Sequence, residues 1–316
     1  MCHTDREMGF FGTPQDYEVS DLIVAHDPVT LDRVPVRKEE ILRLCANRHQ
    51  AASVIARIPA ADGFLDSIAV DRLLLKVHWE MQRLANEFLQ GGRILELLKP
   101  VIAAIRSNGF TGPVRIVDVG CGIGYAIRWL AAKTDLTNQG VELTGVDLNS
   151  TLIAEANRLA RLESLPCQFF HGDAFSQQHC GHIYISTGVI HHFRGNALSE
   201  FFGKQNLQST AAFLHYDFRP WLLAPYGSWL FHILRMRTAL ARHDGVLSTV
   251  RAHSAATLLE AARSGAPEFK CGIYGSRIWF TALPRVFQTL LGVRPALVPA
   301  LISQLGHRKT RLDNLR

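Results

Sequence analysis

The spacing of apolar positions changes character near residue 112 of this 316-residue chain. Before that point hydrophobic residues recur at intervals of three and four, the helical period. Ile41, Leu42, Leu44, Cys45, Ala52 and Ile55 do so between Arg37 and Ile58. Further helices are predicted from about Ile68 to Leu89 and over Ile94–Ser107. The first 35 or so residues, broken by Gly12, Pro14, Pro28 and Pro35, predict turns. Asn108-Gly109 and Thr111-Gly112-Pro113 punctuate the chain strongly. We place a boundary there, between an N-terminal helical region (1–112) and a second domain (113–316).

Beyond the boundary, short β-branched runs alternate with helical stretches. Strands are predicted at Val114–Val119, Glu142–Asp147, Gln168–Phe170, His182–Ser186 and Ala211–Tyr216. Tyr125–Lys133 reads as a helix. Another carries Leu152, Ile153, Ala156, Leu159 and Ala160 on one face, with Asn149 or Ser150 as its cap. Alternation at this spacing predicts an α/β fold, a parallel sheet covered on both faces. Phe269–Tyr274 and Arg277–Ala282, joined at Gly275-Ser276, predict a closing antiparallel hairpin. An apolar insert is expected near 218–243 and a C-terminal tail from about 283.

The chemistry concentrates where the first of these strands turns into a helix. Val117-Asp118-Val119 runs into Gly120-Cys121-Gly122-Ile123-Gly124 and then Tyr125. Glycines there allow a tight turn and let a ligand approach bare backbone at a helix N-terminus. Tyr125 stands where the dinucleotide pattern GxGxxG needs its last glycine, which argues against a nicotinamide dehydrogenase. No Gly-Lys-Ser/Thr follows, so a P-loop is excluded. Asp118, just before the glycines, suits an ammonium group rather than a pyrophosphate. Asp147 ends the next strand, where a carboxylate can accept both hydroxyls of a ribose. Gly172-Asp173-Ala174 follows the third strand and offers an acceptor for an exocyclic amine.

In this order the motifs resemble the class I S-adenosylmethionine (SAM)-dependent methyltransferases, across roughly residues 113–216. The resemblance implies a Rossmann-like, seven-stranded, mostly parallel sheet whose last strand is antiparallel, with extra N-terminal helices capping the active site. It implies that Asp118, Gly120, Cys121, Gly122 and Gly124 hold the methionine end of SAM. Asp147 and Leu148 would then meet the ribose, and Gly172, Asp173 and Ala174 the adenine. Thr187 opens the segment beside the methionine and the substrate. Val189-Ile190-His191-His192-Phe193, in that segment, is similar to the Leu-His-His-Phe stretch of small-molecule members.

Composition adds limits. At 47% hydrophobic and 20% charged residues the chain is ordinary for a globular protein, which excludes a disordered or low-complexity scaffold. The net charge of +6 is uneven: residues 217–316 carry 14 basic and 5 acidic side chains, while the first two thirds are slightly acidic. That skew points to an anionic partner or a solvated arginine-rich surface. Cys2, Cys45, Cys121, Cys167, Cys180 and Cys271 form no CxxC pair, so reduced thiols in a cytoplasmic protein are expected. The N-terminus lacks a signal-peptide layout, and no apolar run reaches 18 residues.

Methyl transfer from SAM needs alignment of donor and nucleophile, and an oxygen or amine nucleophile gains from a base. His191, His192, Asp217 and His243 are the candidates for that role, and His78, Tyr216 and Arg219 for contact with substrate. His215, Asp244 and His253 complete the set of polar groups nearby. His243-Asp244-Gly245 reads as a base dyad or a polar turn that stops a helix, and His78 as a ligand or a satisfied buried histidine. No HExxH or carboxylate-supported HxH occurs, so no metal is expected. Trp221–Arg237 is apolar and aromatic with arginines at its far end: a lid over an apolar substrate, a membrane-surface helix or core. The expected substrate is an apolar or aromatic small molecule with a hydroxyl or carboxylate, methylated on oxygen. RNA or protein as substrate, through the basic C-terminal third, is the alternative. A SAM-binding protein without catalysis is the second.

Overall fold

The computed structural model describes residues 17–275, 286–313 and 315. In chain order its helices are α1 (Val19–Ile23), α2 (Lys38–Leu44), α3 (His49–Ala56), α4 (Ser67–Glu87), α5 (Gln90–Ser107) and α6 (Tyr125–Lys133). They continue as α7 (Ser150–Leu162), α8 (Asn196–Gly203), α9 (Ala224–Arg235), α10 (Ala239–Val250), α11 (Ala255–Gly265) and α12 (Val298–Leu305). The helix expected from Arg37 to Ile58 is two, because Ala46–Arg48 form a turn closed by the Arg48 N–H on the Cys45 carbonyl.

These elements gather into two compact units. One contains residues 17–84 and Pro220–Arg251. The other contains Ala85–Arg219 and the described residues from Ala252 on. The division therefore differs from a break at 112. The apolar face of α5 (Ile94, Leu97, Leu98, Val101, Ile105) is buried in the core of the sheet unit, and burying such a stripe is what a helix of this length needs.

The sheet unit has strands β1 (Val114–Val119), β2 (Val141–Asp147), β3 (Gln168–His171), β4 (Ile183–Thr187), β5 (Ala212–Phe218), β6 (Lys270–Tyr274), β7 (Phe287–Val293) and β8 (Leu312–Asp313). Their spatial order is β8-β6-β7-β5-β4-β1-β2-β3. The five strands from β3 to β5 are parallel, with Asp118 of β1 facing Gly145 on one side and Ile185 on the other. The sheet has eight strands where the resemblance implied seven; the two-residue β8 on the edge of β6 is the addition. β6 pairs antiparallel with β7, which in turn pairs antiparallel with β5. The expected partner Arg277–Ala282 lies outside the described residues, and Phe287–Val293, assigned to the tail, is a buried strand.

Helices cover both faces, as the alternation predicted. On one, α5, α6, α7 and α12 bury their stripes against Ile116, Leu143, Ile185 and Leu214. On the other, α8 and α11 cover Val117, Tyr184, Phe213 and Leu290. Asn149 caps α7 by accepting from the Thr151 and Leu152 N–H groups.

In the second unit, α9 and α10 pack closely. A Cβ at Gly245 of α10 would lie 2.1 Å from the His232 ring of α9, so the glycine sits mid-helix to admit that ring. His243-Asp244-Gly245 is therefore not a helix stop. α10 starts at Thr238, whose hydroxyl accepts from the Ala241 N–H. Arg251, 1% exposed, donates to Asp21 at 2.6 Å.

Candidate active site

Parallel strands deliver their C-terminal ends to one edge, the edge where open α/β sheets bind ligands. Asp118 of β1, Asp147 of β2, Thr187 of β4 and Asp217 of β5 all stand there. Gly120, Gly122 and Gly124 all have positive φ. Gly124 has a second reason to be glycine: a Cβ would lie 2.3 Å from the Phe169 ring.

Asp147 braces that loop. Its Oδ2 accepts from the Gly122 N–H at 2.9 Å and its Oδ1 from the Asn149 N–H at 2.8 Å. Each oxygen keeps a further lone pair. Asp118 is buried, and its Oδ1 has no hydrogen-bond partner among the described residues. Burial, and then the charge of Asp147, hold its carboxyl well above the usual carboxylate range. Burial likewise pushes the Cys121 thiol up. At the next strand end Asp173 Oδ1 accepts from the Phe175 N–H, Lys204 Nζ stands 3.8 Å from Oδ2, and Ala174 is buried. Leu148 is exposed beside Asp147, and Gly172, with a φ of +145°, precedes Asp173; a Cβ there would lie 3.9 Å from the His179 ring.

Across β4 and β5 the structure joins two of the candidates. His191 Nδ1 lies 2.8 Å from Asp217 Oδ1, and both residues are 3% exposed. Asp217 also accepts from the backbone N–H of His191 and of Phe218. Burial alone would raise the Asp217 carboxyl, but the charge and hydrogen bond of His191 and the two N–H groups outweigh it, and the carboxyl ends below its ordinary range. His192 is half-buried, its ring centroid 4.4 Å from that of His191.

This fold and motif order agree with one comparison. Residues 116–205 match the family model of the methyltransferase domain. This stretch of the chain carries a methyltransferase domain.

No curated protein matches the chain in sequence. Among solved structures it is similar to the plantazolicin methyltransferase BpumL in complex with a monoazolic desmethylPZN analog and SAH. The two are 15% identical, with 71% of this chain and 96% of that one covered and a TM-score of 0.47. It is also similar to magnesium protoporphyrin IX methyltransferase (ChlM) from Synechocystis PCC 6803, at 16% identity, 81% and 99% coverage and a TM-score of 0.42. A SAM-dependent methyltransferase from Aquifex aeolicus gives 10% identity, 64% and 92% coverage and a TM-score of 0.40.

The other candidates fall into two groups. Tyr216 and Arg219 belong to β5 and its end. The Tyr216 hydroxyl is buried without a partner among the described residues, and burial pushes it up. Tyr216 lines a small cavity with Arg93, Ser186 and Thr289, of which Arg93 and Thr289 carried no sequence signal of a site. Arg219 is exposed. His78 and His243 belong to the other unit. His78 Nδ1 donates to the Leu74 carbonyl one turn back at 2.9 Å, as a satisfied helix histidine does. His243 Nδ1 bonds Asp244 Oδ1 at 2.6 Å.

Sequence reasoning named His215 but missed the buried chain it belongs to, on the face of the sheet that α8 covers. The Ser186 hydroxyl lies 2.8 Å from His215 Nδ1, and His215 Nε2 lies 2.8 Å from the Gln205 amide oxygen. Burial lowers His215 to about 3, so the ring stays neutral and ties β4, β5 and the turn after α8 together. Its signal was the register, which pairs Ser186 with His215.

Proposed function

We propose that the chain is a class I SAM-dependent methyltransferase acting on a hydroxyl oxygen of an apolar or aromatic small molecule, with His191 as general base. The observation that carries this reading is the buried 2.8 Å contact between His191 Nδ1 and Asp217 Oδ1 at the ligand edge of the sheet. A carboxylate held ionised accepts the Nδ1 proton, so Nε2 becomes the acceptor nitrogen of the ring. Nε2 then takes the proton of the substrate hydroxyl as its oxygen becomes a nucleophile. Asp217 acts through His191 and is its positioning residue. The Tyr216 hydroxyl, buried with its donor unused, would meet a polar group of the substrate.

SAM, when bound, supplies a methyl carbon made electrophilic by a sulfonium sulfur. The residues present fit it. An unpartnered carboxylate oxygen in a buried site beside a second negative charge, as at Asp118 Oδ1, is stabilised by a cation such as an ammonium group. Gly120, Cys121, Gly122 and Gly124 would hold that end with Asp118. Asp147 and Leu148 would hold the ribose, Gly172, Asp173 and Ala174 the adenine, and Thr187 would stand alongside. The RNA or protein alternative loses some support because three arginines of the basic C-terminal third are held in ion pairs within the fold. Arg251 bonds Asp21, Arg294 bonds Glu268, and Arg311 bonds Glu96.

The test is labelled SAM with cell extract, followed by identification of the labelled product and a pH profile on the purified substrate. A methyl ether or ester is expected. Wild-type kcat/KM should fall with unit slope as pH drops and the base is protonated. His191→Ala should flatten that limb and lower kcat by about 10²–10⁴-fold. A product methylated on nitrogen or carbon, or an unchanged profile in His191→Ala, overturns the proposal.

A further inference from the structure

From Pro220 to Leu234 the chain contains no Asp, Glu, Lys or Arg. Such a run is too short to span a bilayer and has the length of an interfacial segment. Among the described residues no helix is long and apolar enough to cross a membrane. The run folds mostly as α9, and only one side of that helix packs. His232 is buried and Ser228 donates to the Gly245 carbonyl at 2.8 Å, so this side faces α10.

The other side is exposed and apolar. Tyr226 (73% exposed), Trp229 (53%), Leu230, Ile233 and Leu234 (73%) follow one another at spacings of three, four, seven and eight, which places them on one stripe. Scattered single apolar residues on a surface need no explanation, but a contiguous stripe marks a contact surface. Leu222, before the helix, extends it.

The charges beside the stripe are of one sign. Arg235, Arg237 and Arg242 are exposed at and just beyond the C-terminal end of α9. α4 adds a fourth, Arg83, whose guanidinium donates to the Arg235 carbonyl. The acid that approaches them, Glu80, accepts from the backbone N–H of Arg237 and Thr238 and so serves the start of α10. Trp and Tyr on an apolar face with arginines at its border are the features of a helix lying in the headgroup region of a membrane. A second copy of this chain is a poorer occupant, because a two-fold contact would set the same arginines against each other.

We propose that α9 is a membrane-surface helix that docks this protein on anionic lipid. The apolar stripe would enter the acyl boundary, and the arginines would meet lipid phosphates. This reading is independent of the assignment of His191.

The test is flotation of the full chain with vesicles of phosphatidylcholine, with and without 30% phosphatidylglycerol, at low and high salt. Binding is expected with the anionic vesicles and should weaken as salt rises. Leu230→Glu with Ile233→Glu should lower the partition coefficient by about tenfold or more. Arg237→Gln should lower it by about fivefold, the effect of one charge near such a surface. Thermal unfolding and SAM affinity of these variants should match the wild type. Absence of flotation, or binding unaffected by the Leu230/Ile233 pair, overturns the proposal. So does sedimentation showing a dimer that the same pair dissociates, which would assign the stripe to a second copy.

Discussion

Two aspartate–histidine pairs in this molecule share a geometry and differ in their surroundings. In both, histidine Nδ1 meets aspartate Oδ1, at 2.8 Å in His191–Asp217 and at 2.6 Å in His243–Asp244. Asp217 takes its further hydrogen bonds from the two residues that flank the ligand edge, His191 and Phe218, and ends with a lowered carboxyl. Asp244 takes its own from the Val19 and Ser20 N–H groups, more than two hundred residues earlier in the chain. Burial, with help from the Glu18 carboxylate, raises it. His243 Nε2 accepts from the Arg48 guanidinium at 3.3 Å, which occupies the lone pair a base would use. On the proposed reading the first pair poises a proton, whereas the second ties a segment of backbone to a helix. Sequence alone offers His and Asp in both places, and the difference lies in what the second ring nitrogen and the remaining carboxylate lone pairs meet.

The sharpest way to break this comparison is Asp217→Asn. An amide cannot enforce the Nδ1–H tautomer, so kcat should fall about 10²–10⁴-fold with SAM affinity retained. Equal activity in Asp217→Asn would put the two pairs in one class.

Asp244→Ala should act on the fold instead. It strips acceptors from the Val19 and Ser20 N–H groups and from His243, and a buried donor left unmet costs about 1–3 kcal/mol, so unfolding should ease by about 3 kcal/mol. Activity of the folded fraction should be unchanged. The pH dependence separates the pairs further. Asp217 is lowered on folding, so its stabilisation is present above its unfolded value near 3.8 and is lost as pH falls. Asp244 is raised, so the folded state holds its proton more tightly and stability declines as pH rises from about that value. Melting curves of Asp217→Asn and Asp244→Asn against pH should therefore depart from the wild type with opposite slopes.

Asp147 stands between the cases, because it braces backbone as Asp244 does and stands at the ligand edge as Asp217 does. Asp147→Ala should weaken SAM binding about tenfold by calorimetry, with charge-assisted bonds lost to the ribose. The smallest expected effect is at Arg219, where an exposed charge adds little. Arg219→Met should raise KM for an anionic substrate about two- to fivefold, with a shallow dependence on salt. A steep dependence spread over several arginines would restore the nucleic-acid alternative.

The parallel half of the sheet was legible because its strands are buried on both faces and read as continuous apolar runs. Val114–Val119 and Tyr125–Lys133 begin and end where the pattern placed them. The glycine turn was legible because three positive-φ positions alternating over five residues, Gly120, Gly122 and Gly124, leave few alternatives to glycine. What was not legible rests on distant partners. β7 looks like a tail because Gly292 interrupts its apolar run, yet Gly292 is there to let the Phe213 ring of β5 approach. Gly245 looks like a stop for the same kind of reason, with His232 as the hidden neighbour. The split at 112 failed because the period of α5 shows that it is amphipathic but not which unit its stripe faces. Among site residues, Asp217 and His191 could be named separately, but their pairing depends on the register of β4 and β5.

The order of the sheet has a consequence for how the chain is made. β7 lies between β5 and β6 in space but follows both in synthesis. Until residues 287–293 leave the ribosome, β5 presents a bare, apolar edge and β6 has no partner within the sheet. At roughly 5–20 residues per second the growing chain carries that open edge for several seconds. An unpaired edge of this kind is a template for intermolecular strand pairing. Nascent chains of this protein should thus depend on a holdase during that interval, and premature termination before β7 should yield inclusion bodies rather than a smaller soluble domain.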